Sequence, residues 1–142
     1  MRHMTAALLL ATLAACSSST TTPLGATART SESVAQRDVG RAFEMKTGET
    51  VSVGALRLTL RNVESDSRCP IDAVCVWAGD AEIALRIEQG SLAAVAALHT
   101  TLEPKKTEWN GYTIAFVSLA PSPRASQAID PADYRATILV TR

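Results

Sequence analysis

The chain has 142 residues and balances 14 Lys and Arg against 14 Asp and Glu, so its formal charge is zero. With no long run of one sign, it lacks the basic stripe on which nucleic-acid binding depends. The length suits one domain of ordinary size with a smaller segment before it.

The N-terminus has the layout of an export signal. Met1-Arg2-His3-Met4 carries positive charge, and Thr5 to Ala15 is an unbroken run of apolar and small residues. A positive segment, about 7–15 apolar residues and a small-residue cut site are the parts of a secretory signal. Spanning a bilayer takes about 20 residues, more than this run supplies. Leu13-Ala14-Ala15-Cys16 closes the run and resembles the lipobox of bacterial lipoproteins. The resemblance implies removal of residues 1–15 and a diacylglyceryl group on Cys16. Two or three acyl chains anchor stably, whereas one binds only marginally. Ser17 stands where an aspartate commonly retains lipoproteins at the inner membrane. The expected address in a Gram-negative cell is therefore the outer membrane, facing the periplasm. Loss of Arg2 leaves 13 basic residues against 14 acidic ones, a formal charge of −1.

Residues 16–41 begin Cys16-Ser17-Ser18-Ser19-Thr20-Thr21-Thr22-Pro23 and lack the regular apolar spacing of a core element. They are expected to be the lipidated cysteine and a flexible tether, with a short helical turn as the alternative over Ser33 to Phe43. Residues 42–142 form the expected domain, and there the period is two. Leu56, Leu58 and Leu60 alternate with Arg57, Thr59 and Arg61, as a half-buried strand requires. Val63 follows out of phase, which predicts a bulge near Arg61-Asn62. Ala81, Ile83, Leu85 and Ile87 mark the cleanest strand, and Leu92 to Leu102 a less regular one. Tyr112, Ile114 and Phe116 begin another, and Tyr134, Ala136, Ile138 and Val140 mark the last. Phe43 to Lys46 and Thr50 to Val53 flank a turn at Thr47-Gly48-Glu49. Short strands separated by Gln89-Gly90, Asn110-Gly111 and Pro121-Ser122-Pro123 predict an all-β, antiparallel sandwich. Asp130-Pro131-Ala132-Asp133-Tyr134 looks like the tyrosine corner of immunoglobulin-like domains, which adds that subclass as an expectation.

Of three cysteines, Cys16 is assigned to lipid, leaving Cys69 and Cys75 as a pair. In an oxidising compartment an even remainder reads as a disulfide. Closing so short a loop contributes about 2 kcal/mol, less any strain. Pro70 stiffens the backbone beside Cys69, and Trp77 is a large surface that could pack beside the disulfide. The whole stretch, Asp66-Ser67-Arg68-Cys69-Pro70, four residues, then Cys75-Val76-Trp77-Ala78-Gly79, is similar to a motif of small, uncharacterised bacterial lipoproteins. That resemblance implies a β-rich envelope protein and carries no activity.

Chemistry-bearing alternatives are thin. A redox pair is usually spaced by two residues and helped by a helix N-terminus; here five residues intervene between predicted strands. Calcium would have to be held by Asp66, Asp72, Asp80 and Glu82, whose spacing fits no calcium loop. His99 is the one histidine left after cleavage, which weakens zinc and Ser-His-Asp proposals alike; it is expected towards solvent or a sheet edge. Neither a metal nor another cofactor is called for. Trp109, at the Asn110-Gly111 turn, would either contact a ligand or fold back on the sheet. The reading is a lipid-anchored, non-enzymatic binding or structural module, with a small envelope enzyme or a thiol-redox protein as the alternative. Its membrane contact is the lipid on Cys16, and an envelope protein or a glycan is its expected partner. The candidate surface is Arg68, Trp77 and Trp109 beside the Cys69–Cys75 loop.

Overall fold

Nine strands and one 3₁₀ turn make up the described part of the computed structural model, residues 33–142. In chain order the strands are β1 (Ala35–Arg37), β2 (Phe43–Lys46), β3 (Thr50–Val53), β4 (Leu56–Asp66), β5 (Ala81–Gln89), β6 (Leu92–His99), β7 (Lys106–Trp109), β8 (Tyr112–Ala120) and β9 (Arg135–Thr141). They form a five-stranded sheet, β1-β3-β4-β5-β6, and a four-stranded sheet, β2-β9-β8-β7. All pairings are antiparallel except that of β1 with β3. The architecture is the all-β sandwich expected from the alternation. The signal segment, Cys16 and the tether as far as residue 32 lie outside the described residues.

Alternate residues of both sheets meet in one core. Leu56, Leu58, Leu60, Ile83, Leu85 and Ile87 face it from the first sheet; Ile114, Phe116, Ile138 and Val140 face it from the second. Each large aliphatic side chain so buried contributes about 1.5–3 kcal/mol over exposure. Among the described residues before Met45, only Ala35 and Phe43 pack against the core.

Two irregularities decide which residues face inward. The β4–β5 register slips between Leu60 and Asn62, as the out-of-phase Val63 foretold, and slips again between Val63 and Ser65. The β8–β9 register slips between Phe116 and Ser118, so Val117 is unpaired and exposed while Leu119 returns to the core.

Two local expectations are corrected. Ala35–Arg37 lies in the stretch assigned to tether or helical turn, yet it is a strand on the edge of β3. Three residues of edge strand need no apolar alternation, because the gain is backbone pairing with β3. The turn expected at Thr47-Gly48-Glu49 is present, and it carries the chain between sheets, since β2 joins β9 and β3 joins β4. Tyr134 follows the 3₁₀ turn Pro131–Asp133, but its hydroxyl donates to the Asp66 side chain at 3.0 Å, not to backbone as in a tyrosine corner.

Candidate functional site

The ladder between β4 and β5 continues past the strands into the loop that joins them. Ser67 N donates to Asp80 O at 2.7 Å and Cys69 N to Ala78 O at 2.9 Å, while the Ser67 hydroxyl bonds both backbone atoms of Asp80. Gly79 is required at this base: its φ is +71°, and a Cβ there would sit 1.9 Å from Ser67 O. Beyond it Cys69 and Cys75 are disulfide-bonded, with Cα atoms 5.9 Å apart. A second loop supports the first, since Ile71 N donates to Pro123 O at 3.0 Å and Ala125 N to Asp72 Oδ1 at 2.9 Å.

Arg68 lies beneath this loop and points inward. Its Nε and Nη2 donate to the two oxygens of Asp66 at 2.8 and 2.7 Å, a bidentate fork. Nη1 donates to Leu119 O and Nη2 also to Pro121 O at 2.8 Å, both from the chain at the end of β8. With the Tyr134 hydroxyl on Asp66, one ion pair ties the end of β4 in one sheet to β8 and the start of β9 in the other. The side chains of Arg68 and Asp66 are only 14% and 9% exposed. Burial alone would raise the Asp66 pKa, but the Arg68 hydrogen bonds and charge and the Tyr134 hydroxyl hold it below 3.8. Burial and the hydrogen bond to Asp66 push the Tyr134 phenol up.

Asp80 organises the neighbouring turn. Oδ2 lies 2.7 Å from His99 Nδ1; Oδ1 accepts from the Thr100 hydroxyl at 3.1 Å, Thr101 N at 2.8 Å and Leu102 N at 3.2 Å. Burial works against its charge, but these bonds prevail and lower its pKa to about 2. His99 is thus at the edge strand, as expected, and half-buried against a carboxylate.

The loop's outer side is apolar and exposed. Trp77 is 83% exposed, Val76 92%, Val74 fully, and Ile71 59%. Trp77 therefore does not pack into a core beside the disulfide. Trp109 does fold back: it is half-buried against the core, and its indole N–H has no acceptor among the described residues. It pairs with Tyr112 at the start of β8, whereas Arg68 reaches Leu119 near the other end. Seven residues of strand separate those points by about 23 Å. The three residues first grouped as one surface are therefore dispersed: Arg68 is internal, Trp109 is at the far end, and Trp77 alone is on the loop's exposed side. The three aliphatic residues beside Trp77 were overlooked, although their failure to alternate in a predicted loop was a signal of exposure.

Elsewhere, a groove of about 560 Å³ is lined by Arg37, Arg41, Glu44, Lys46, Glu49 and Arg135. Its charges are of mixed sign, and Arg37 faces Glu49 at 3.7 Å. Among the described residues no three His, Cys, Asp or Glu side chains converge as metal ligands do. Comparison with protein-family models, curated proteins and solved structures found no match.

Two outcomes check this geometry. Arg68→Ala strands the Asp66 carboxylate and should cost about 3–5 kcal/mol in urea unfolding; Arg68→Lys should recover little, since an ammonium cannot make the fork. Equal stability of Arg68→Ala and parent would mean the pair closes nothing. For Asp80, a lowered folded pKa means stability present above pH 3.8 and lost as pH falls through about 2. Asp80→Asn should therefore melt below the parent at neutral pH, with the gap closing across that acid window. A gap independent of pH would contradict the bonds assigned to its carboxylate.

Proposed function

We propose that the protein is a lipid-anchored, non-enzymatic contact module of the cell envelope, meeting its partner through the outer side of the Cys69–Cys75 loop. Lipid on Cys16 holds it to a membrane outside the cytoplasm, the outer membrane facing the periplasm in a Gram-negative cell. One observation carries the reading. The distinctive residues of the loop have internal partners, Asp66 and Arg68 in the fork, Cys69 and Cys75 in the disulfide, Gly79 at the base, while Trp77 faces solvent. Exposed apolar side chains gathered on a firmly held loop mark a contact surface. A loop braced this way loses little conformational freedom on binding, so more of the contact energy appears as affinity. The aliphatic side chains of Ile71, Val74 and Val76 suit an apolar surface better than the hydroxyls of a sugar, which leaves an envelope component with apolar surface ahead of a glycan.

The test uses a photoreactive residue at position 76 in cells carrying the full chain. A defined crosslink to an envelope protein, glycan or lipid is expected, and Trp77→Ser should abolish it while shifting unfolding by no more than about 0.5 kcal/mol, as for a surface change. A crosslink that Trp77→Ser leaves intact would remove the loop from the function.

A further inference from the structure

We infer that the surface met by this loop is the lipid bilayer that carries the anchor, so that the domain touches one membrane at two points. The inference rests on the lipid-anchored reading above and names the partner of the same loop.

Shape is the first support. Val74, Val76 and Trp77 stand almost wholly free of the domain, on the outer side of a loop and not in a hollow. A protein partner would need a matching groove to receive them, whereas the bilayer interface deforms around a small apolar projection. Composition is the second. Ala73 to Gly79 contains no charged residue and includes a tryptophan, the side chain enriched at headgroup level. Of the acids on either side, Asp80 is turned away from the run to hold His99 and the turn at 100–102, and Asp72 gives one oxygen to Ala125 N on the supporting loop.

Chain direction is the third. β1 runs parallel to β3, and β3 is antiparallel to β4, so the start of β1 points towards the end of the sheet that bears the loop. Ala35 lies beside Val51, which pairs with Leu58, and Leu58 is eight residues from Asp66. That separation is about 26 Å along the strand. Cys16 precedes Val34 by 18 residues, a chain able to reach about 60 Å when extended. A lipid on Cys16 and the loop can therefore meet the same membrane plane with chain to spare. Tethering of this length holds the loop near the surface at an effective concentration on the order of millimolar, so weak intrinsic affinity suffices.

The chain from Cys16 onward, with Cys69–Cys75 oxidised, has one free thiol and two tryptophans. Coupling Cys16 to a maleimide lipid in vesicles of phosphatidylethanolamine and phosphatidylglycerol restores an anchor whatever the cell does. With Trp109→Phe, Trp77 is the sole tryptophan and is excited selectively at wavelengths tyrosine does not absorb; should that variant fail to fold, the difference between parent and Trp77→Phe reads the same residue. Blue-shifted Trp77 emission that brominated acyl chains quench is expected. Val74→Ser with Val76→Ser should abolish the quenching and weaken vesicle binding of the uncoupled chain at least about tenfold. Water-like, unquenched Trp77 on the anchored chain would overturn the inference. If that occurs while position 76 still crosslinks to a protein or glycan in a Trp77-dependent way, the contact-module reading survives without the bilayer. If neither occurs, both fall.

Discussion

The Asp66–Arg68 fork is the constraint on which the rest of this end of the molecule depends. A sandwich end is where two sheets have stopped pairing and loops must satisfy their own backbone. Here one guanidinium accepts that duty for both sheets: it takes the Asp66 carboxylate from β4 and the carbonyls of Leu119 and Pro121 from the far side. Tyr134 adds its hydroxyl to the same carboxylate from the start of β9. With only 14% and 9% of their side chains exposed, the two ions have little solvent to replace a lost partner, so the pair stands or falls together. The disulfide then acts locally, closing a loop whose base the fork and the Ser67–Asp80 bonds have already placed.

This division of labour explains how an apolar surface is kept in water. Val74, Val76 and Trp77 could fold back only if the loop could bend, and its base, disulfide and support from Pro123 and Ala125 oppose that. The molecule thus keeps several large side chains exposed that an ordinary loop would bury. Exposure maintained against the hydrophobic effect is what the proposed contact surface requires, and a lipid surface beside the proposed anchor is the occupant inferred for it.

Much of the fold was legible because alternation is a direct record of two-faced burial. Ala81, Ile83, Leu85 and Ile87 face the core as their spacing required, and the displaced Val63 marked a real bulge. The bulge at Val117 was not legible, since a valine there reads as one more strand residue until the pairing with β9 is seen. β1 was missed because a short edge strand is held by its backbone, which has no sequence signature. The site was legible in part. The motif located the loop, the cysteine count paired Cys69 with Cys75, and Trp77 stood out. What side chains do within such a loop depends on partners distant in sequence: Arg68 turns inward because Leu119 and Pro121 present carbonyls there, and Asp80 is engaged because His99 and Thr101 come round to it. Trp109 and Trp77 are one residue type with opposite fates: Trp109 ends a strand that packs on the core, and Trp77 stands on a loop braced away from it.

The claim that a firmly held base presents a free apolar side is tested most directly by amide hydrogen exchange, residue by residue, in the oxidised domain. Ser67, Cys69 and Ile71 donate to Asp80, Ala78 and Pro123, and the account predicts strong protection at these amides beside fast indole exchange at Trp77. Unprotected amides at Ser67 and Cys69, or a Trp77 indole that exchanges slowly, would show a mobile or collapsed loop and contradict it.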